Sequence, residues 1–145
     1  MLLSCSLTVN LTTKQLNDEQ LNISKMHEYS FEKLDVWKES IKLASNIYNY
    51  TKAFPDDEKF GLTSQMRRCS VSISSNIAEG TSRLTNKDKS HFMTIAYSSA
   101  LELLNQVIIS KELNFISEEN YKSIRLEVES ITNKINALRK HFINS

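Results

Sequence analysis

The chain has 145 residues, the length of one domain, and its 40% hydrophobic and 24% charged residues are ordinary for a folded globular protein. Two glycines and one proline are too few for the many turns of a sandwich, a barrel or a doubly wound sheet, so the composition favours a few long helices. The net charge of +1 gives no argument from bulk charge for nucleic acid or an anionic membrane, and any basic surface must come from local arrangement.

The N-terminal segment differs in composition from the rest of the chain. The first 25 residues are rich in Thr, Asn, Ser and Gln and show no sustained hydrophobic period. We expect residues 1–28 to form a flexible N-terminal extension and residues 29–145 to form the folded domain. Two interpretations of the extension stay open: a disordered tail, or a segment upstream of a start at Met26. The opening residues lack the basic region of an export signal.

Cysteine usage and hydropathy bear on location. Cys5 and Cys69 have no CxxC spacing and no second pair, so we expect reduced thiols and a cytoplasmic protein. No run of the sequence approaches eighteen apolar residues, so we expect no membrane span and no membrane partner.

The first predicted helix runs from about Phe31 to Phe54. Its apolar side chains fall in two neighbouring stripes that together cover roughly 200° of the helix surface. That arc is wider than a bundle interior usually requires, so we expect part of it to meet another subunit. Pro55 ends the helix, because the residue before a proline is pushed away from helical angles.

The second predicted helix follows a cap at Asp56 or Asp57 and runs to Glu79, with Gly80 as its C-terminal stop. The alternating residues of Ser70–Ser74 also suit a strand. Apolar residues keep helical spacing over a longer window, which favours the helix. The small residues there would let a neighbouring backbone approach closely.

Two further helices complete the predicted domain. Thr85 begins the third with a capping-box pattern in which Asp88 takes the usual place of Glu, and this helix continues to about Glu112. Ser117 caps the fourth, which carries the clearest apolar heptad of the chain. Four long helices with short connections predict an all-α, antiparallel up-down-up-down four-helix bundle.

The sequence contains no recognisable catalytic or cofactor motif. Two glycines cannot make a phosphate-binding loop, and the single Asp88-to-His91 spacing has no counterpart for a di-iron site. Cys69 falls on the apolar stripe of the second helix, as a small buried hydrophobe would. We therefore expect no enzymatic activity, no metal and no cofactor.

A polar group lies where the second and third helices should meet. Asn76 and Glu79 either close the end of the second helix or bind across a subunit boundary, and the sequence leaves both open. Glu102 interrupts the apolar body of the third helix. Because a carboxylate so placed is costly without a cation, we expect Arg67 or Arg68 to pair with Glu102 and to fix the register of the two helices.

Two groups of cations are candidates for contacts with nucleic acid or another partner. The first is Arg67, Arg68, Arg83, Lys87 and Lys89, and the second is Lys134, Arg139 and Lys140. Arginine offers a forked geometry that suits phosphate, although exposed helical cations are commonly only a solvated face. Symmetric assembly would multiply a modest patch into a basic ring.

Ordered sequence blocks resemble the family of 23S rRNA intervening-sequence proteins. The blocks are Phe31–Lys38, Ile47–Tyr48, Phe54–Pro55, Glu58–Leu62, Gln65–Arg68, Val71–Gly80, Phe92, Ile95–Ala96 and Ser99–Leu103. The resemblance implies a small bacterial four-helix bundle that assembles into homopentamers and whose relatives are often encoded within insertions in the large-subunit rRNA gene. The chain is also similar in fold to the basic, nucleic-acid-binding accessory protein of diversity-generating retroelements, although its near-neutral charge departs from that protein.

These observations lead to one expected function and one alternative. We expect a noncatalytic, oligomeric helical bundle that acts through macromolecular contacts, with RNA or a ribonucleoprotein as the favoured partner. The alternative is a protein-binding assembly scaffold without affinity for nucleic acid.

Overall fold

The computed structural model describes residues 12–23 and 25–145, and within these ranges every regular element is helical. The helices are α1 (Thr13–Ile23), α2 (Asp35–Thr51), α3 (Leu62–Thr81), α4 (Asn86–Glu112) and α5 (Glu118–Asn144). Short 3-10 turns at Ser30–Lys33 and Asp56–Glu58 precede α2 and α3. Ser70–Ser74 is helical, and the predicted all-α class is confirmed. The predictions about Cys5 and the start of the chain lie outside the described residues.

Helices α2 to α5 form the predicted antiparallel four-helix bundle. Each packs against its neighbour along the chain, and α2 also packs against α5, which closes the bundle. Side chains such as Leu43, Ile73, Leu103 and Ile131 are 0–1% exposed and fill its centre, so all four helices contribute to one core. Their packing on one another is the main source of stability, because helices of this length are only marginally stable alone.

The ends of α2 and α3 differ from the sequence prediction. The chain before Leu34 forms a 3-10 turn rather than the first turn of α2, and α2 ends at Thr51 instead of Phe54. Helix α3 begins at Leu62, whose backbone N–H donates to Glu58 Oε2 at 3.0 Å. The acceptor is therefore Glu58. The predicted caps at Asp56 and Asp57 are wrong, because α3 begins only at Leu62 and Gly61 occupies the N-cap position.

Gly80 does not stop α3, contrary to the prediction. The helix continues through Gly80 to Thr81, and Gly80 has no positive φ. A Cβ at this position would lie 2.6 Å from Met93 Cε and 2.7 Å from Phe92 Cβ. The missing side chain therefore allows α4 to approach α3. The same two helices are close at Ser72, whose Oγ lies 3.0 Å from that of Ser99.

The predicted caps of the last two helices are confirmed. Thr85 Oγ1 accepts a hydrogen bond from the backbone N–H of Asp88 at 3.1 Å, and Ser117 Oγ accepts one from Asn120 at 3.1 Å. Each bond satisfies one of the backbone donors that a helix leaves unpaired at its N-terminus. Helix α4 ends at Glu112, as predicted.

Helix α1 lies within the segment assigned to the N-terminal extension. The Thr12 side chain accepts from the Gln15 backbone N–H at 3.4 Å, and the Gln15 side chain accepts from the Thr12 backbone at 2.9 Å, so the two residues form a reciprocal cap. No residue of α1 is buried. The extension thus contains a helix that adds nothing to the core.

Helix α4 is long and apolar enough to cross a bilayer by length and composition, with an 18-residue window of mean hydropathy 1.3. Within that window, 39% of the residues are buried inside the bundle. A central bundle helix meets this criterion because it is surrounded by other helices, so the finding is weak support for a membrane span.

Candidate nucleic-acid and partner surfaces

The five candidate cations of α3 and α4 lie in two separate places. Arg67 and Arg68 are in the first half of α3, whereas Arg83, Lys87 and Lys89 lie at its far end, around the start of α4. The helical rise from Arg67 to the end of α3 is about 21 Å. The structure therefore divides one predicted group into two surfaces.

The second surface, which we call the basic end, consists of Arg83, Lys87, Lys89, Arg139 and Lys140. The last two come from the C-terminal part of α5, which the antiparallel topology brings beside the start of α4. Aromatic rings hold three of these cations. The Arg83 guanidinium lies 4.4 Å from the centre of the Phe92 ring, Lys89 Nζ lies 5.5 Å from Phe142, and the Arg139 guanidinium lies 5.3 Å from Tyr97.

The cations of the basic end form no ion pair with the described carboxylates. The salt bridges among the described residues join Lys33 to Glu28, Lys111 to Glu118 and Lys134 to Glu39. Lys134 of the second predicted group is therefore neutralised. Glu79 and Asp88 lie near the basic end, and Asp35 lines a surface pocket with Leu138 and His141, so these carboxylates offset part of its positive charge. A ring face orients a cation without neutralising it, and such a cation remains able to bind phosphate.

Arg67 has a structural role between α2 and α3. Its Nε donates to Thr51 Oγ1 at 2.9 Å, and its guanidinium lies 4.7 Å from the centre of the Tyr48 ring. Sequence reasoning missed both partners, because nothing in the spacing of α3 indicates which α2 residues face it. Arg68 is exposed beside it.

A surface groove of about 470 Å³ runs between α2 and α3. We call it the α2–α3 groove, and it is lined by Tyr48, Lys59, Phe60, Thr63, Ser64, Arg67, Arg68 and Val71. Phe60 is 89% exposed, and Tyr48 and Val71 are each 43% exposed. The groove thus combines apolar side chains with three cations.

The predicted ion pair of Glu102 is wrong. Glu102 is exposed, and among the described residues it pairs with neither Arg67 nor Arg68. Its carboxylate instead accepts a long hydrogen bond of 3.5 Å from Gln106 Nε2. The prediction failed because Arg67 faces α2, whereas Glu102 is on α4.

A polar cluster between α3 and α4 takes the place of that pair. Gln106 is 4% exposed, and its Nε2 also lies 3.5 Å from Gln65 Oε1 and 3.6 Å from Cys69 Sγ. Burial raises the pKa of the Cys69 thiol, and the nearby Glu102 carboxylate raises this pKa further. The thiol is therefore protonated at neutral pH and unsuited to nucleophilic chemistry.

Asn76 belongs to a polar seam on the same pair of helices. Its Nδ2 donates to Ser72 O at 2.8 Å and to Ser72 Oγ at 3.0 Å, and Ser72 in turn contacts Ser99. These bonds use both hydrogens of the Asn76 amide within its own chain. Glu79 is exposed near the end of α3, and its backbone carbonyl accepts from Ser82 Oγ at 2.7 Å. None of these hydrogen bonds joins Asn76 to Glu79.

The described residues offer no evident metal centre. Across residues 12–23 and 25–145, no three His, Cys, Asp or Glu side chains come together in a group that could hold a metal ion.

Comparison with known proteins places the bundle in a family. A family model described as 23S rRNA-intervening sequence protein matches residues 32–137. The chain belongs to this family. The match begins in the turn before α2 and ends within α5, so it covers most of the bundle and excludes α1. The resemblance noted in the sequence is confirmed.

A solved structure shows the same fold. The chain is similar to a protein with unknown function from the S23 ribosomal protein family of Bacteroides thetaiotaomicron VPI-5482, with 24% sequence identity and a TM-score of 0.67. The likeness covers 72% of this chain and 95% of that one. At this identity it supports the fold alone. No curated protein matches the chain.

Proposed function

We propose that this protein is a noncatalytic, oligomeric helical bundle that binds RNA through the basic end. The observation that carries the proposal is the grouping of five cations from three segments without a described carboxylate partner. All five were candidates from the sequence, in two groups, and the fold brings Arg139 and Lys140 of the second group beside Arg83, Lys87 and Lys89. A cytoplasmic location belongs to the same proposal, because Cys69 is a free, buried thiol.

A phosphate backbone suits this surface for two reasons. Arginine forks and lysine ammonium groups bind phosphate oxygens, and the release of counterions from RNA then drives association. The net charge of +1 means that the rest of the surface adds little non-specific attraction. Binding should therefore depend on the basic end.

The first prediction tests this dependence with Arg83→Ala/Lys87→Ala/Lys89→Ala. RNA affinity is measured by fluorescence anisotropy at several salt concentrations. We expect the variant to bind more weakly and its salt slope to fall by about 2, since each lost phosphate contact removes about 0.7 from the slope for single strands.

A matched control removes three cations from the opposite end of the bundle. Lys52→Ala/Lys122→Ala/Arg125→Ala changes the net charge by the same amount but leaves the basic end and the α2–α3 groove intact. The control should keep both the affinity and the salt slope of the wild type. Equal losses in the two variants, or no RNA binding by the wild type, would refute the proposed site.

The α2–α3 groove supports the second candidate function, a protein-binding assembly scaffold. Phe60 is almost fully exposed beside Tyr48 and Val71, and contiguous exposed apolar surface commonly marks a protein contact. Self-association that persists without any RNA affinity would favour this function over the first. Both functions share the proposal that the protein is oligomeric.

A further inference from the structure

A ladder of aromatic rings leads from the core to the surface just before α2. The Phe31 and Trp37 rings are 5.1 Å apart in an edge-to-face arrangement, and both side chains are partly buried. The Tyr29 ring stacks beside Phe31 with centres 6.0 Å apart, and the His27 and Tyr29 rings are nearly perpendicular with centres 4.9 Å apart. Tyr29 is 60% exposed.

The inner and outer halves of this ladder have different roles. Trp37 packs against the core, and Phe31 packs on the Trp37 ring where the chain enters α2. Tyr29 and His27 are exposed, so core packing does not account for their position. The Tyr29 backbone N–H donates to Glu32 Oε1 at 2.9 Å, and Tyr29 O accepts from the Glu32 N–H at 3.1 Å. The exposed ring is thus attached to a hydrogen-bonded turn.

The ladder lies at the same end of the bundle as the basic end. Tyr48 of α2 packs on Arg67 of α3, and the two helices are antiparallel. The start of α2 lies as many residues before Tyr48 as Gly80 lies after Arg67. The start of α2 and Gly80, which is close to Arg83, are therefore at the same height in the bundle. The turn Ser30–Lys33 also packs against α3. Exposed aromatic rings and unpaired cations therefore share one end of the molecule.

We infer that the basic end binds single-stranded RNA, with an unpaired base stacked on Tyr29 while the cations hold the phosphates. This inference rests on the proposed function and names its substrate class. Single-stranded nucleic acids are bound by this combination of a cationic surface and stacking rings, because every unpaired base presents a ring face. The bases of a duplex are already stacked on one another, so Tyr29 would add nothing to duplex binding.

The experiment compares a short oligouridylate with an RNA duplex of the same length at fixed ionic strength. We expect Tyr29→Ala to weaken binding of the oligouridylate about 5- to 100-fold with an unchanged salt slope, and to leave duplex binding as in the wild type. Tyr29→Phe should retain binding, because it keeps the ring. Circular dichroism should show that both variants keep the helical fold, since Tyr29 is exposed and outside the helices.

Leu126→Ala provides a control, because it removes a 68% exposed apolar side chain of α5 that lines neither the basic end nor the α2–α3 groove. It should bind both RNAs as the wild type does. Wild-type affinity of Tyr29→Ala for the oligouridylate, or an equal loss in Tyr29→Phe, would overturn the stacking role. If salt-dependent binding then still required Arg83, Lys87 and Lys89, RNA binding by the basic end would stand and only the stacking role of Tyr29 would be wrong. Failure of the wild type to bind either RNA would overturn both.

Discussion

Gly80 is the residue whose absent side chain most directly determines how closely α3 and α4 pack. A Cβ there would overlap Phe92 Cβ, which is attached directly to the backbone of α4 and cannot move aside without it. The second close atom, Met93 Cε, ends a flexible side chain and could yield. The contact with Phe92 therefore decides the effect of a substitution.

Gly80→Ala should lower the free energy of unfolding by about 1–3 kcal/mol, because overpacking forces the two helices apart. Alanine improves helix propensity by about 1 kcal/mol over glycine, and this gain opposes the steric cost. Urea denaturation monitored by circular dichroism measures the difference.

Ser75→Ala is the control for that experiment, because Ser75 is exposed on the same helix. It should change stability by no more than about 0.5 kcal/mol, in the direction of its better helix propensity. A Gly80→Ala protein as stable as the wild type would contradict the prediction, because the steric cost would then be no larger than the gain of about 1 kcal/mol in helix propensity.

Side-chain chemistry was predictable from the sequence more often than side-chain partners were. The positive charge of Arg67 follows from its residue type, and the position of Cys69 on an apolar stripe follows from helical spacing. The contacts of Arg67 with Tyr48 and Thr51 could not, because they depend on how α2 is rotated against α3. The error about Glu102 has the same cause.

At the scale of the elements, a polar contact joins α2 to α5. Glu39 accepts hydrogen bonds from Lys134 and, at 3.0 Å, from Ser130. The hydrogen bond from Lys134 is the main reason that the pKa of Glu39 lies below its ordinary value of 4.5, partial burial opposes it, and Ser130 and the nearby charge of Lys42 also lower the pKa. The interaction therefore favours the ionised carboxylate.

This lowered pKa makes the α2–α5 contact sensitive to acid. The stabilisation is fully present above the ordinary pKa of 4.5 and is lost as the pH falls through the lower pKa of the folded state. Between roughly pH 5 and roughly pH 3, the wild type should lose more unfolding free energy than Glu39→Gln, which cannot ionise. Urea denaturation across this range measures both slopes.

Glu129→Gln serves as the comparison, because Glu129 is exposed on α5 and joins none of the salt bridges among the described residues. It should keep the pH dependence of the wild type. Parallel pH curves for the wild type and Glu39→Gln would mean that the contact with Lys134 does not contribute in solution.

Helix existence was easier to predict than helix ends. Thr85 and Ser117 were identified correctly, because a hydroxyl before an apolar run is a local signal that the capping bond then realises. The sequence carries no comparable signal for the 3-10 turns before α2 and α3. The predicted starts of these two helices therefore lie several residues before the observed ones. Gly80 was wrongly predicted to end α3. The lack of a side chain favours close packing of two helices as well as a helix C-terminus, and the sequence does not distinguish the two.

At the scale of the whole molecule, the bundle follows from four apolar stripes and short connections. These stripes and connections do not predict that the candidate cations divide between the basic end and the α2–α3 groove. The division depends on the length of α3, which separates Arg67 and Arg68 from Arg83 by most of the bundle. Arg139 and Lys140 join the basic end only because α5 runs antiparallel to α4. From the sequence alone they were therefore assigned to a second group.

The last prediction concerns the oligomer, and it places the subunit contact at the α2–α3 groove. The groove exposes Phe60, Tyr48 and Val71, and of these Tyr48 belongs to the wide apolar arc predicted on α2. Light scattering should therefore give a mass that is a multiple of the 16.7 kDa chain. Val71→Glu should reduce this mass towards that of one chain, because it places a carboxylate in the contact. Leu126→Glu, which changes a 68% exposed residue of α5, should leave the mass unchanged. A single-chain mass for the wild type, or dissociation caused by Leu126→Glu alone, would contradict this assignment.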